Sequence, residues 1–371
     1  MADFRKRVSL ATSIALLAVV MPALASGGTG AASDPPDPLA AEIDHWLKVL
    51  QSKPDADPMW AEFKPGLQPA LERAQEELRN GRRLLALQRL GTPRTNLEAA
   101  VYLTERSADQ RKEMAAFDAE WKRMGDVLRT DLGTTAPGKF EGMPAFVRAL
   151  SEAAFPQVRV YYQASLDYGH NTMPDAGLMY LGNAQAQRDL VAFYRTLPAP
   201  SPRRPAPPLR SLRPEIDALQ AEMLAVYKPP VSIERHGEFI SASALLKEAR
   251  ELDAAGLRYG ALLRYLIASQ QFSQIRPASA PPLTAEAIDS RLHELAARLS
   301  AGEVDHGIGR MFLESAQSGL ARSAPGSPSP VAASIATDVL PRYFAALEPA
   351  RPQPAGPEPQ VTVTLVRWPY T

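Results

Sequence analysis

The sequence predicts an all-α protein of stacked helical hairpins in two related halves, with a C-terminal extended strand. Three observations predict it. Ala, Leu, Glu, Arg and Gln dominate long stretches in which apolar residues recur at three- and four-residue spacing, as in Leu71, Ala74 and Leu78. The 35 prolines are clustered, and the helical pattern runs between the clusters. Period-two alternation of β-branched residues is confined to the stretch from Val361 to Trp368.

Residues 1–25 read as a secretory signal peptide. Arg5, Lys6 and Arg7 form a basic start, Leu10 to Leu24 is mostly apolar, and Ala23-Leu24-Ala25 supplies a small-x-small cleavage pattern before Ser26. The apolar stretch is shorter than the roughly 20 residues of a spanning helix, and Pro22 interrupts it. Cleavage would leave a periplasmic or secreted protein with a flexible start over 26–38 and no integral membrane span. The chain has no cysteine, so disulfides, thioether haem attachment, thiolate zinc sites and cysteine nucleophiles are all excluded. Lys plus Arg and Asp plus Glu both number 41, which provides no electrostatic drive toward nucleic acid or anionic lipid.

A first helical half spans 39–197. The segment 198–214, with seven prolines, reads as an extended, semi-rigid connector. A second helical half spans 215–348, and a Pro-rich tail over 349–371 ends in the strand. Glu42-Ile43-Asp44 opens the first half and Glu215-Ile216-Asp217 the second. A constant offset of about 175 then pairs Leu71 with Leu246, Ala74 with Ala249, Glu76 with Glu251, and Gly81 with Gly256. It also pairs Arg83 with Arg258, Ala86 with Ala261, Leu87 with Leu262 and Arg89 with Arg264. Internal duplication accounts for these matches.

Within the second half, Gly256, Ala261, Tyr265 and Ala268 stand at the spacing of a helix-closing Gly, a close-approach Ala, an aromatic and a final Ala. The segment from Ala249 to Ala268 thereby resembles a tetratricopeptide repeat. Gly81, Ala86 and Leu90 follow the same spacing in part, but Gly91 and Pro93 then predict an early helix end. Tyr180-Leu181-Gly182-Asn183-Ala184 resembles the opening of a third unit. The resemblance implies helical hairpins with a groove suited to a protein or peptide partner.

Catalytic motifs are scarce. Gly133 to Lys139 has phosphate-loop spacing, yet Phe140 replaces the hydroxyl that would hold magnesium. Glu314-Ser315 lacks the Gly-rich continuation of lytic transglycosylases and reads as a solvated helix end. None of the five histidines stands three or four residues from another, so no helical metal pair is expected, and no cofactor is implied. Solvent-exposed or capping roles are expected for them. The stretch from Tyr161 to Asp175 is the richest in polar and aromatic groups. Gly169 reads as a helix stop, Asn171 to Pro174 as a turn, and Asp175 as the next N-cap. Asp167, Tyr168, His170, Asn171 and Asp175 are the candidate ligand contacts there, and would be the polar site if the protein were instead a periplasmic enzyme. In the tail, Leu365, Trp368 and Tyr370 are candidate anchors for docking onto a partner or onto the body itself.

Overall fold

Some helices begin where the sequence offers a side-chain cap. Asp37, Asp57 and Ser329 each precede a proline, and each side chain accepts a backbone N–H from the first turn that follows. Helices α1 (Pro38–Gln51), α2 (Pro58–Arg79) and α12 (Pro330–Ser334) start at those points. The others are α3 (Arg83–Thr104), α4 (Met114–Val127), α5 (Ala145–Asn171), α6 (Pro174–Thr196), α7 (Arg213–Val226) and α8 (His236–Ala254). They are followed by α9 (Arg258–Ile275), α10 (Ala285–Ser300), α11 (Gly307–Ala321) and α13 (Leu340–Leu347). A π-helical turn, Ile335–Val339, joins α12 to α13, and short 3-10 turns occupy Pro137–Phe140 and Ile233–Arg235. The computed structural model describes residues 37–133, 136–199, 204–228, 233–276, 283–324 and 326–349. Among these the structure is all-helical, with no strand, and no helix is long and apolar enough to cross a membrane. The signal segment and the tail from 350 onward, with Leu365, Trp368 and Tyr370, lie outside the described residues.

The α2–α3 and α8–α9 hairpins turn in the same way. Gly81 and Gly256 both have positive φ, 75° and 76°, a backbone conformation that side-chain-bearing residues rarely adopt. The residue after each donates its N–H back across the turn, Arg82 to Glu77 and Leu257 to Leu252. Ala86 and Ala261 are fully buried behind these turns. The long α5–α6 hairpin sits between the two, with α6 against α3 and α5 against α9. One apolar core runs from Leu39 through both hairpins to Ala346, while a smaller cluster gathers around Phe117 under α4.

Several local expectations yield to packing. Helix α3 does not end at Gly91-Thr92-Pro93 but continues to Thr104. Pro93 is buried, and Gly91 leaves room for the Tyr194 hydroxyl, 3.3 Å from where a Cβ would stand. Burial along both sides of the proline outweighs the lost backbone bond. Gly169 does not end α5, which runs two residues further. Its role is steric instead, since a Cβ there would lie 2.4 Å from the Phe117 ring. Gly177 on α6 faces the same ring, 2.7 Å from the Gly169 Cα by its own added Cβ. Helix α6 therefore starts at Pro174 with Met173 as its N-cap, and Asp175 stands inside the first turn rather than capping it. Tyr180 to Ala184 falls in the middle of α6 and opens no new unit.

The connector is built into the body where it is described. Asp305 donates its N–H to the Pro205 carbonyl at 2.7 Å, and the Tyr259 hydroxyl donates to Pro207 at 2.6 Å. Arg258 reaches the Leu209 carbonyl at 2.6 Å, and Leu209 and Leu212 are buried. The last residues of the proline-rich stretch, Arg213 and Pro214, already form the first turn of α7.

Candidate functional site

The stretch with the most concentrated polar and aromatic groups maps to the free end of the α5–α6 hairpin. Asp167, Tyr168, His170 and Asn171 occupy the last turns of α5, all exposed, and Asp175 is half-buried at the start of α6. They share no cleft. The His170 Nε2 lies 2.8 Å from Asp118 Oδ1 on the open surface, with its ring edge-on to Phe117. Asp175 bonds the neighbouring Ala176 N–H. Tyr168 is different, because its ring stacks on Tyr180 with centroids 4.2 Å apart, and Tyr180 meets Tyr161 at 5.9 Å. These rings form a row along the outer side of the hairpin, starting beside the Glu248–Arg264 ion pair of α8 and α9. Tyr168 is 44% exposed, and Met173 in the following turn is exposed as well. Burial raises the Tyr161 and Tyr180 hydroxyls above the ordinary phenol range, so both stay neutral hydrogen-bonding groups.

Three perturbed carboxylates elsewhere, Glu152, Glu314 and Glu77, serve as structural caps and pins. Glu152 of α5 is fully buried, and its Oε2 accepts the N–H groups of Tyr259 at 2.8 Å and Gly260 at 2.9 Å, closing the start of α9. Burial raises it above the usual carboxylate range, with Arg148 and those two N–H groups opposing the rise. Glu314 of α11 does the same for α3, accepting from Leu85 N at 2.8 Å. It is therefore no solvated helix end: burial pushes it up to about 7 against the bonds from Leu85 and Leu84. Glu77 is fully buried at the α2–α3 turn and is held by Ser318, Arg322, Arg82 and Arg89. Burial alone would raise it, but those partners outweigh the penalty and its carboxyl is lowered. His306 is buried rather than exposed, its Nδ1 2.9 Å from the Tyr343 hydroxyl.

A cleft of about 270 Å³ opens where the start of α5, the start of α9, the approach to α11 and the connector converge. Gly142, Met143, Pro144, Arg148, Arg204, Pro205, Ala206, Tyr259 and Asp305 line it. The Asp305 carboxylate caps two helices at once, taking Ala145 N–H at 2.7 Å and Gly307 N–H at 2.9 Å. Sequence reading did not point to this cleft. Its one linear signal is the pair Arg148-Ala-Leu-Ser-Glu152 and Arg310-Met-Phe-Leu-Glu314, which begins at equivalent positions of α5 and α11. Among the described residues no group of three or more His, Asp or Glu side chains is placed to hold a metal ion. Comparison with protein-family models, curated proteins and solved structures finds no match to this chain.

Proposed function

We propose that this protein is a non-catalytic binding or scaffolding module, exported to a bacterial cell envelope, that engages a protein or peptide partner. The observation that carries this reading is the tyrosine row. Stacked, partly exposed Tyr168 and Tyr180 offer large contact area at low conformational cost, the property that makes tyrosine a frequent interface anchor. Absence of catalysis is supported by the use already made of Glu152, Glu314, Glu77 and Asp305, each bound to helix N–H groups or to arginines.

The helical halves are read as products of duplication. Six successive helices from α1 to α6 correspond in order to α7, α8, α9, α10, α11 and the α12–α13 run. Support comes from the reciprocal caps. Glu152 of the first half closes α9 of the second at Tyr259 and Gly260, and Glu314 of the second closes α3 of the first at Leu85. Gly260 and Leu85 are 175 residues apart, the offset of the repeated sequence. The two Gly-turned hairpins support a tetratricopeptide-like unit at the centre of each half.

The experiment is cross-linking in the native envelope with the parent protein and a Tyr168→Ser, Tyr180→Ser variant. Partners that cross-link to the parent and drop out in the folded variant support the reading. An identical set of cross-links in both proteins would refute the tyrosine row as the docking surface.

A further inference from the structure

We propose that the cleft between α5, α9, α11 and the connector binds a small organic oxyanion, held between Arg148 and Arg204. This site stands apart from the tyrosine row and does not depend on it. Asp305 is the single carboxylate on the lining, and it is committed: two helix N–H groups and the Arg310 guanidinium at 2.7 Å take its oxygens. Its ion pair is with Arg310, and none joins it to Arg148 or Arg204 among the described residues.

Arg148 is held but not used up. Its Nε donates to Glu152 at 2.7 Å, and its guanidinium lies 4.3 Å from the centre of the Tyr259 ring. Glu152 is itself fixed by the N-terminus of α9, so the arginine is braced from behind by a carboxylate and from one face by an aromatic. Its two terminal amino groups have no acceptor among the described residues, and this is the edge of the fork that grips a carboxylate or phosphate. Arg204, on the connector, has no ion-pair partner among the described residues. Its field is felt nearby. Burial lowers the His306 imidazole from its ordinary value, and Arg310, Arg204 and Arg298 lower it further against the pull of Asp305. With Arg148 paired to Glu152 and Arg310 to Asp305, Arg204 is the lining cation left without an ion-pair partner among the described residues.

Size and lining define the ligand. A volume of about 270 Å³ accommodates a handful of heavy atoms and not a folded element. Met143, Pro144, Pro205 and Ala206 add apolar surface to the lining, suited to a short aliphatic body beside the oxyanion. The backbone of Ala145 and Gly307 is already capped by Asp305, so recognition falls to the arginine side chains.

The test is isothermal titration of the full chain at low ionic strength with glutarate, inorganic phosphate and the neutral glutaramide. Saturable binding of glutarate, none of glutaramide, and weakening by added salt are expected. Arg204→Gln should weaken that binding roughly tenfold while leaving the melting temperature of the ligand-free protein unchanged. Binding of phosphate but not glutarate would still support an oxyanion site and would assign it to a phosphoryl group. No saturable binding of either anion up to about 10 mM, or equal affinity in Arg204→Gln, would overturn the proposal.

Discussion

Replacing Glu152 by Ala is the sharpest perturbation this architecture offers. The carboxylate is fully buried and serves three donors: Tyr259 N–H, Gly260 N–H and Arg148 Nε, all within 2.9 Å. Removing it strands two helix-terminal N–H groups in the interior, each worth about 1–3 kcal/mol when left unpaired. It also leaves the Arg148 guanidinium, only 16% exposed, without its anion, a loss that costs about 3–5 kcal/mol for buried pairs. These contributions overlap because one carboxylate makes all three bonds, so a total of about 3–5 kcal/mol is expected. Glu152→Gln keeps one acceptor oxygen and should cost about 1–2 kcal/mol. Glu314→Ala, at the matching cap on α3, removes a side chain that is only partly buried, and should cost about 1–2 kcal/mol. Urea unfolding followed by circular dichroism measures all three as midpoint shifts at constant slope. The reasoning fails if Glu152→Ala lies within about 0.5 kcal/mol of the parent, the range of an ordinary surface change.

Other expectations follow from the same contacts. Ala261→Leu should destabilise by about 1–3 kcal/mol, because Ala261 is fully buried in the main core, where a larger side chain overpacks; chemical denaturation measures it, and an unchanged midpoint would sink the hairpin reading. Gly177→Ala should cost a similar amount, about 1–3 kcal/mol, since its Cβ would meet Phe117 at 2.5 Å and the Gly169 backbone at 2.7 Å. Glu314 has a folded pKa of about 7 and a reference value of 4.5, so between these values the folded chain holds a proton that the unfolded chain has released. Its contribution to stability is therefore full below about pH 4.5 and is lost as pH rises to about 7; Glu314→Gln should flatten that part of the stability curve, and an unaltered curve would contradict it. Burial likewise raises Glu98 to about 8, with Asp189 adding to the rise and Arg94 opposing it. Glu98→Gln mimics the protonated form and should gain at least about 1 kcal/mol relative to the parent between pH 6 and 9, read by thermal melts across that range.

How much of this was legible depended on how far each signal reaches along the chain. The tyrosine row was half legible: the crowded stretch from Tyr161 to Asp175 marked Tyr168, but not the ring of Tyr180 that stacks on it from the next helix. The polar residues crowded there, Asp167, His170 and Asn171, stand on the last turns of α5, where successive side chains point to different sides. The cleft was not legible, because its lining comes from four segments far apart in the sequence.

Taken alone, the sequence determined the all-helical class of the described residues and the turns at Gly81 and Gly256. Those features rest on interactions within a few residues: apolar periodicity, capping side chains, and a glycine that tolerates positive φ. Tertiary structure decided where local signals are overruled. Helix α3 passes through Pro93 because burial on both sides outweighs one missing bond, and Gly169 stays helical because Phe117 fills the space a side chain would need. It also decided which carboxylates cap which helices. Glu152 lies 108 residues from Gly260, and Glu314 lies 229 from Leu85. An orphan N–H at a helix start requires an acceptor, but the sequence near it does not say whose; packing brings the distant carboxylate there.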